Sequence, residues 1–472
     1  MYAPVDERVV AALERALGPA HVLRDPETIA RHSRDETEDL SFPPEVVVRP
    51  GSTEEVAAVL RLAQEHRVPV TPAGGRTGLS GGALCVAGGI ALSLERMDRI
   101  REIDEEGFFA VVEPGLVTAR LHEEVERRGL FYPPDPASAG SCTIGGNIAE
   151  NAGGPRAVKY GVTGDWVTGL EMVLAGGQVV REGGKLLKDV TGYALRRLVV
   201  GSEGTLAVVT EATLRLIPRP TVFRTALVPY PSLQAAARTV PAVFRAGLMP
   251  CAIEFMEQAA LAAAEAHLGT HIARGGAEAY LLVELDGHDA ERLDRELMRL
   301  GEVCLEQGAL DVWLAEGPSR RAELWRVRRA MGEAVKKLSA YREEDTVVPR
   351  ARLAEAIQGV RQIVARHGLR AILYGHAGDG NIHVNVLRDA LPRERWRELV
   401  PRVSHEIFRF VVGLGGTISG EHGIGWVQRP HLPLAVSQSA IALYRRLKHA
   451  FDPLGILNPG KIFDDGEAAA QP

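Results

Sequence analysis

A glycine-rich stretch, PAGGRTGLSGG at residues 72–82, decides the predicted fold of this chain. It follows a strand predicted at Glu45–Arg49, a helix from Ser52 to about His66, and a second strand at Val68–Thr71. Ser52 begins the helix in the manner of a capping residue. Consecutive small residues after a β-α-β run let several backbone N–H groups converge on one anion. The stretch therefore predicts either a phosphate-binding loop or a tight surface turn.

More glycine-rich motifs follow in order. They are PPDPAS at 133–138, TIGGNIAENAGG at 143–154, KDVTGY at 188–193 and GSEGTL at 201–206. The region from 133 to 161 is long and too apolar for a disordered loop, which indicates a functional segment. The sequence contains neither G-x-G-x-x-G nor a Walker A motif, so Rossmann and P-loop folds have no motif support.

Length and composition limit the function classes. A chain of 472 residues predicts two or three domains. A net charge of −6 without a basic cluster argues against nucleic-acid binding. The four cysteines lie far apart with no C-x-x-C, so neither an iron–sulfur cluster nor a structural zinc site is predicted. With no signal peptide and no long apolar run, we expect a cytoplasmic protein, attached to the inner membrane only through a partner.

The pattern changes after Pro218-Arg219-Pro220, which we take as a domain boundary. Strands near 223–229, 251–256, 279–285 and 309–315 alternate with helices beyond it. This alternation predicts an α+β layer of ferredoxin-like type.

Two histidines lie in YGHAGDGNIHVN at 374–385, which reads as strand, turn and strand. A four-residue turn would pair His376 with His383 on one face, with Cβ atoms about 4.5–5.5 Å apart. Such a pair suits one metal ion, but the spacing is equally compatible with two incidental histidines. Glycines in GGTISGEHGIG at 415–425 expose Glu421 and His422, as either a functional pair or a solvated one.

The order of these motifs resembles the FAD-binding domain of the vanillyl-alcohol-oxidase and p-cresol-methylhydroxylase (PCMH) type. It is most similar to the family that includes D-lactate dehydrogenases, the glycolate oxidase catalytic subunit and D-2-hydroxyglutarate dehydrogenase, over about residues 40–462. The resemblance implies an α+β fold with a two-subdomain FAD-binding domain and a C-terminal FAD-linked oxidase domain. We therefore expect an N-terminal helical segment at 1–40, the FAD domain at 41–219, a substrate or cap domain with a metal site at 220–462, and a tail at 463–472.

The resemblance also implies a cofactor site. In it, the first glycine loop holds the FAD pyrophosphate, the second lines the flavin, and Val208 or Val209 lies near the adenine. No residue stands out for covalent attachment, so we expect non-covalent FAD. The implied cofactor-binding residues are Pro72, Ala73, Gly74, Gly75, Arg76, Thr77, Gly78, Pro136, Ala137, Ser138, Gly145, Gly146, Asn147, Ala149, Asn151, Gly204, Val208, Val209, Glu421 and Asn458.

By the same resemblance, His376, His383 and Glu421 are the ligands of a divalent metal (Zn, Mn or Fe), and His422 is the catalytic base. Arg328, within LWRVRR at 324–329, is the candidate for binding the substrate carboxylate, and Asn381 is a second contact. An arginine-rich helix face in water is the competing interpretation of the three arginines.

The implied reaction is oxidation of a small D-2-hydroxy acid to the 2-oxo acid, with hydride transfer to the flavin. Hydroxyglutarate enzymes of this family carry a lysine where this chain has REED at 342–345, so we favour glycolate or D-lactate, although Arg342 could substitute. D-2-hydroxyglutarate remains the alternative acid. A transferase resembling alkyl-dihydroxyacetonephosphate synthase and a non-catalytic flavin-binding subunit are the alternative functions. The electron acceptor is left open among a quinone, a cytochrome, a flavoprotein and an iron–sulfur protein or subunit, and a homodimer is compatible with the sequence.

Overall fold

A computed structural model describes residues 2–273 and 276–463. The chain forms two compact units. The first contains Met1–Gly153, Val162–Arg219 and Glu421–Pro472, and the second contains Gly154–Gly161 and Pro220–Gly420. Residues 464–472, nearly all of the predicted tail, lie outside the described residues.

Up to Arg219 the chain alternates short strands and helices. The strands are β1 (Val22–Leu23), β2 (Val46–Val48), β3 (Val70–Ala73), β4 (Ile90–Ser93), β5 (Ile100–Asp104), β6 (Phe109–Val112), β7 (Leu130–Phe131), β8 (Val167–Val173), β9 (Val179–Gly183), β10 (Val208–Arg215) and β11 (Ile217–Pro218). The helices are α1 (Glu7–Leu17), α2 (Pro26–His32), α3 (Thr53–His66), α4 (Thr118–Glu126), α5 (Ile144–Glu150), α6 (Ala157–Tyr160), α7 (Thr163–Trp166) and α8 (Leu195–Val199).

Longer elements follow. The strands are β12 (Val222–Tyr230), β13 (Ala252–Glu257), β14 (Ala279–Gly287), β15 (Trp313–Leu314), β16 (Tyr341–Val347), β17 (Arg370–Gly375) and β18 (Asn381–Leu387). The helices are α9 (Leu233–Arg245), α10 (Gln258–Leu268), α11 (Ala290–Glu306), α12 (Gly317–Lys336), α13 (Leu353–Arg366), α14 (Arg393–Gly413), α15 (Leu432–Ala435) and α16 (Gln438–Phe451). Short 3₁₀ turns occur at Pro19–His21, Arg350–Arg352, Ala377–Asp379 and Arg429–His431.

The predicted β-α-β run is confirmed in the first unit. Strands β2, β4 and β3 pair in parallel, and β1 pairs with β2 antiparallel. Ser52 caps α3 by accepting a hydrogen bond from the Glu55 amide, and Val56, Leu60 and Ala63 point into the core. Their spacing of four and three residues puts them on one helix face. Residues 74–82 therefore begin directly at the end of β3.

A second sheet of the first unit has five antiparallel strands in the order β5-β6-β10-β8-β9. The predicted hairpin between β8 and β9 is confirmed, and Gly177 adopts φ +77° in its turn. A left-handed residue at this turn explains why the sequence has glycine there.

The second unit is built on a seven-stranded antiparallel sheet in the order β15-β12-β14-β13-β17-β18-β16. Helices α9, α11, α13 and α14 pack on one face, and α10 and α12 pack on the other. The predicted α+β layer is therefore confirmed. Strand β16 was not predicted, because its residues are mostly polar; it pairs with β18 along its whole length.

The last part of the chain, from Glu421 onward, belongs to the first compact unit. Lys448 donates hydrogen bonds to the Thr205 carbonyl (2.7 Å) and to Asp452, and Lys461 donates to the Leu84 carbonyl (2.6 Å). The two carbonyl partners are distant in sequence, so no local pattern predicts those contacts. Among the described residues, no helix is both long and apolar enough to cross a membrane.

Candidate active site

The first unit contains a cleft beside the loop that follows β3, lined largely by glycines and other small residues. Eighteen of the predicted cofactor residues line the cleft, namely Pro72, Ala73, Gly74, Gly75, Arg76, Thr77, Gly78, Pro136, Ala137, Ser138, Gly145, Gly146, Asn147, Ala149, Gly204, Val208, Val209 and Glu421. The predicted base, His422, also lines it.

The glycine loop offers unused hydrogen-bond donors to this cleft. The hydrogen bonds of the described residues include none donated by the backbone N–H groups of residues 74–79. A side chain at Gly75 would meet the Ser141 carbonyl oxygen at less than 3.0 Å, so the loop must remain bare there. A row of free N–H groups on small residues fits a pyrophosphate.

Two predicted cofactor residues do not line the cleft. Asn151 ends α5 with φ +54°, and its side-chain oxygen accepts a hydrogen bond from the Gly164 amide. Asn458 is buried, and its amide donates to the carbonyls of Gly82 and Glu203. Both side chains therefore bind backbone groups, and those bound by Asn458 belong to two residues that line the cleft.

A buried glutamate fixes the loop that carries Glu421 and His422. The two carboxylate oxygens of Glu203 accept hydrogen bonds from the amides of Ile424 (2.8 Å) and Gly425 (2.6 Å). Glu203 itself adopts φ +52° within the GSEGTL motif. This role of Glu203 was not predicted, although an acidic residue between glycines was a visible signal.

Glu150 is a second acid in the cleft wall that the sequence analysis did not select. Its Oε2 atom is buried and has no hydrogen-bond partner among the described residues. Burial, reinforced by the nearby Glu203 carboxylate, raises the pKa of Glu150 well above its ordinary value. The surroundings of Glu150 therefore favour its protonated form.

In the second unit, strands β17 and β18 bring the two predicted histidines together. The predicted register is wrong: His383 pairs with Tyr374, because a 3₁₀ turn at Ala377–Asp379 lengthens the connection. His376 is a diagonal neighbour of His383 on the same face, with ring centroids 5.4 Å apart and ring planes at 84°. Both residues are buried. The two imidazoles are close enough to bind one cation.

Glu254, at the centre of β13, contacts two predicted site residues. Its carboxylate oxygens lie 2.8 and 2.9 Å from Nδ1 of His376. One of them also lies 2.6 Å from Nη2 of Arg328, which makes a close ion pair. Glu254 is completely buried. This residue was missed, although an acid within the apolar stretch Ala252–Met256 was a signal.

The fold distinguishes Arg328 from the other arginines of LWRVRR. Arg326 and Arg329 are exposed on α12, whereas Arg328 is 5% exposed and lies on the helix face buried with Leu324 and Met331. Its Nε atom has no hydrogen-bond partner among the described residues. A buried guanidinium edge with an unpaired N–H can bind a carboxylate.

Acidic residues of β16 face the histidine pair. Asp345 lies opposite His383 in the sheet, and a Glu343 oxygen is 3.6 Å from Nδ1 of His383. The Asn381 amide donates to Asp345 (2.5 Å) and to the Thr346 carbonyl (3.1 Å), so both of its N–H groups are occupied. The geometry therefore favours Arg328 over Asn381 as the residue that binds a carboxylate.

Arg342 and Glu344, which alternate with these acids along β16, lie on the other face of the strand. Arg342 donates to Glu344 at 3.0 Å, and Glu344 is completely buried. Arg342 is thus paired within its own strand rather than aimed at the histidines.

Comparison with known proteins identifies the family. Residues 219–462 match the family described as FAD linked oxidases, C-terminal domain, and residues 44–183 match the FAD binding domain. The chain belongs to the FAD-linked oxidase family. It is an FAD-linked oxidoreductase with a PCMH-type FAD-binding domain, as the motifs predicted.

Curated relatives of this FAD-linked oxidase cover most of the chain. It is 41% identical to the glycolate oxidase subunit GlcD of Bacillus subtilis, over 92% of each chain. It is 40% identical to D-lactate dehydrogenase of Anaerostipes hadrus, over 89% of each. It is 35% identical to D-2-hydroxyglutarate dehydrogenase of Stutzerimonas stutzeri, over 97% of this chain and 99% of the relative.

Solved structures share the fold. p-Cresol methylhydroxylase superposes with a TM-score of 0.82 at 17% identity, over 98% of this chain and 99% of its own. Alkyldihydroxyacetonephosphate synthase gives 0.76 at 18% identity, over 97% and 85%. At these identities the likeness concerns fold alone.

Proposed function

We propose that this FAD-linked oxidase oxidises a small D-2-hydroxy acid, glycolate or D-lactate, to the corresponding 2-oxo acid. The proposal rests on one observation: the buried guanidinium of Arg328 lies beside the His376–His383 pair, and Glu254 contacts both Arg328 and His376. A 2-hydroxy acid has a carboxylate for the arginine and a hydroxyl oxygen for a cation held by the imidazoles. The relatives named for glycolate, D-lactate and D-2-hydroxyglutarate all act on molecules of this class.

The donor set fits a divalent cation. His376 and His383 are buried imidazoles at a distance suited to one ion, and histidine nitrogen binds Zn, Mn or Fe. We propose them as ligands together with Glu421, whose assignment rests on the family pattern. When bound, the cation lowers the pKa of the coordinated substrate hydroxyl.

Each polar residue then has a separate task. Arg328 binds and orients the substrate carboxylate, and His422 accepts the hydroxyl proton near neutral pH. Glu203 keeps the backbone beyond His422 in place through two hydrogen bonds. The free N–H groups of residues 74–79 hold the pyrophosphate of non-covalent FAD, which supplies the hydride acceptor.

The acidic strand favours a monocarboxylate. Glu343 and Asp345 face the histidines, so a second substrate carboxylate there would meet like charge. Arg342 is already paired with Glu344, so it does not replace the lysine of the hydroxyglutarate enzymes. D-2-hydroxyglutarate is accordingly the second candidate substrate.

The test is anaerobic mixing of metal-replete protein with a panel of hydroxy acids, followed by flavin absorbance. We expect glycolate or D-lactate to bleach the flavin, and 2-hydroxyglutarate to do so more slowly. If none of these acids reduces the flavin, the proposed function fails. Formation of an ether lipid without net oxidation would instead support the transferase alternative.

His422→Asn gives a second test of the same mechanism. It should retain FAD and lose most of the flavin reduction, because proton transfer by a positioned base contributes about 10²–10⁴-fold. His405→Asn, on α14 of the second unit, is the control and should react as the wild type. Full activity in His422→Asn would remove its role as base.

The electron acceptor is proposed to be a separate quinone or redox protein. One relative is named a subunit, which supports a protein partner. Assays with an artificial dye acceptor measure substrate oxidation independently of that partner.

A further inference from the structure

We infer that Glu254 is a positioning residue that sets which nitrogen of His376 binds the cation and, through the same carboxylate, positions Arg328 for the substrate. The inference deepens the proposed function and rests on it. It assigns a role to a residue that touches neither cation nor substrate.

Glu254 accepts a hydrogen bond from His376. Both oxygens of Glu254 lie within 2.9 Å of Nδ1. An ionised carboxylate only accepts hydrogen bonds, so Nδ1 must carry the proton. The lone pair of a neutral imidazole is then on Nε2, which becomes the ligand atom. A carboxylate behind a ligating histidine fixes the ring and makes it a stronger ligand.

Glu254 also forms an ion pair with Arg328. A carboxylate that is completely buried requires a partner, and Nη2 of Arg328 at 2.6 Å supplies one. This contact is an ion pair without hydrogen-bond geometry, and neither Nη2 nor Nε has a hydrogen-bond partner among the described residues. Glu254 therefore holds the guanidinium by charge and leaves its N–H groups for a substrate carboxylate.

Glu254 lies on an inner strand of the sheet. Strand β13 pairs with β14 at Glu254 itself and with β17 at the next two residues, Phe255 and Met256. A residue there is fixed more rigidly than one in a loop. Because one rigid carboxylate supports both His376 and Arg328, a change at Glu254 should weaken cation binding and substrate binding together.

The test compares Glu254→Gln with Glu257→Gln. Glu257 lies on the same strand and is also buried, but it accepts from the Leu373 amide (2.8 Å) and pairs with Arg361. Zinc affinity of FAD-loaded protein is measured by competition with a chelator, and KM and kcat for D-lactate are measured separately. Glu254→Gln should lose about 10–100-fold in zinc affinity and raise KM. Glu257→Gln should remain close to the wild type in both.

Equal zinc affinity in wild type and Glu254→Gln would overturn the inference while leaving the proposed function intact. Absence of zinc binding in the wild type would instead contradict the proposed metal site.

A measurement on the metal-free wild type needs no stable variant at Glu254. Nitrogen-15 NMR, with the His376 signal assigned through His376→Gln, should find the proton on Nδ1. A proton on Nε2 would overturn the inference even if Glu254→Gln fails to fold.

Discussion

Replacement of Arg328 by lysine tests how the substrate carboxylate is held. Lysine keeps a positive charge beside Glu254, so the buried ion pair survives, but it lacks the planar fork of the guanidinium. Losing one charge-assisted hydrogen bond removes about 1.5–3 kcal/mol. At about 1.4 kcal/mol per tenfold, kcat/KM for glycolate or D-lactate should fall about 10- to 100-fold.

The assay is anaerobic stopped-flow reduction of the flavin over a range of substrate concentrations. FAD content should not change, because the cofactor cleft is lined by residues of the first unit and Arg328 belongs to the second. Arg326→Lys, on the exposed side of the same helix, is the matched control and should react as the wild type.

Arg328→Met separates binding from stability. It leaves the Glu254 charge buried without a cation, which destabilises a protein by about 3–5 kcal/mol. The unfolding free energy from urea titration should therefore fall much further for methionine than for lysine. An unchanged kcat/KM in Arg328→Lys, or an equal loss in Arg326→Lys, would refute the assigned role.

Three further predictions concern the cofactor loop, the substrate and pH. Gly75→Ala places a methyl group against the Ser141 carbonyl and should weaken FAD binding by about 1–3 kcal/mol in a titration with FAD. The control is Gly140→Ala, whose methyl group meets nothing within 4 Å and which should bind FAD as the wild type does. Equal FAD affinities of the two variants would contradict this prediction. Glu343→Lys should raise the kcat/KM ratio of D-2-hydroxyglutarate to D-lactate by about tenfold, equivalent to about 1.4 kcal/mol, in dye-coupled assays, and a falling ratio would count against the charge argument. Burial lowers the pKa of Lys461 from 10.5 to about 8, so between these pH values the unfolded chain binds more protons than the folded one. The unfolding free energy of the wild type, measured with urea relative to Lys461→Met, should therefore rise with pH across this window. A difference in unfolding free energy that does not change with pH would exclude the shift.

Much of the fold was predictable because its signals are local. Ser52 begins a helix whose apolar residues repeat at helical spacing, and Gly177 occupies the left-handed turn of a hairpin. Both features depend on residues adjacent in sequence. Strand β16 was missed because REED is polar, and only its pairing with β18 makes it a strand.

The candidate site was predictable in composition but not in register. The two histidines could be selected from one hairpin sequence, yet the 3₁₀ turn at Ala377–Asp379 moved the pairing of His383 from His376 to Tyr374. A shift of two residues keeps the same face, so the two rings remain neighbours despite the wrong register. Asn151 and Asn458 belong to motifs of the predicted cofactor site, but their side-chain amides bind backbone groups and do not line the cleft.

The sequence by itself determined which motifs this protein has and in what order, and that order identified an FAD-linked oxidase. It also determined most helices and strands, because hydrophobic periodicity and capping act over a few residues. Only the tertiary structure buried Arg328 while leaving Arg326 and Arg329 exposed, placed Glu254 beside His376, and put the chain from Glu421 onward in the first unit. These outcomes depend on contacts between residues far apart in the chain, which burial and charge pairing decide after the local elements have formed.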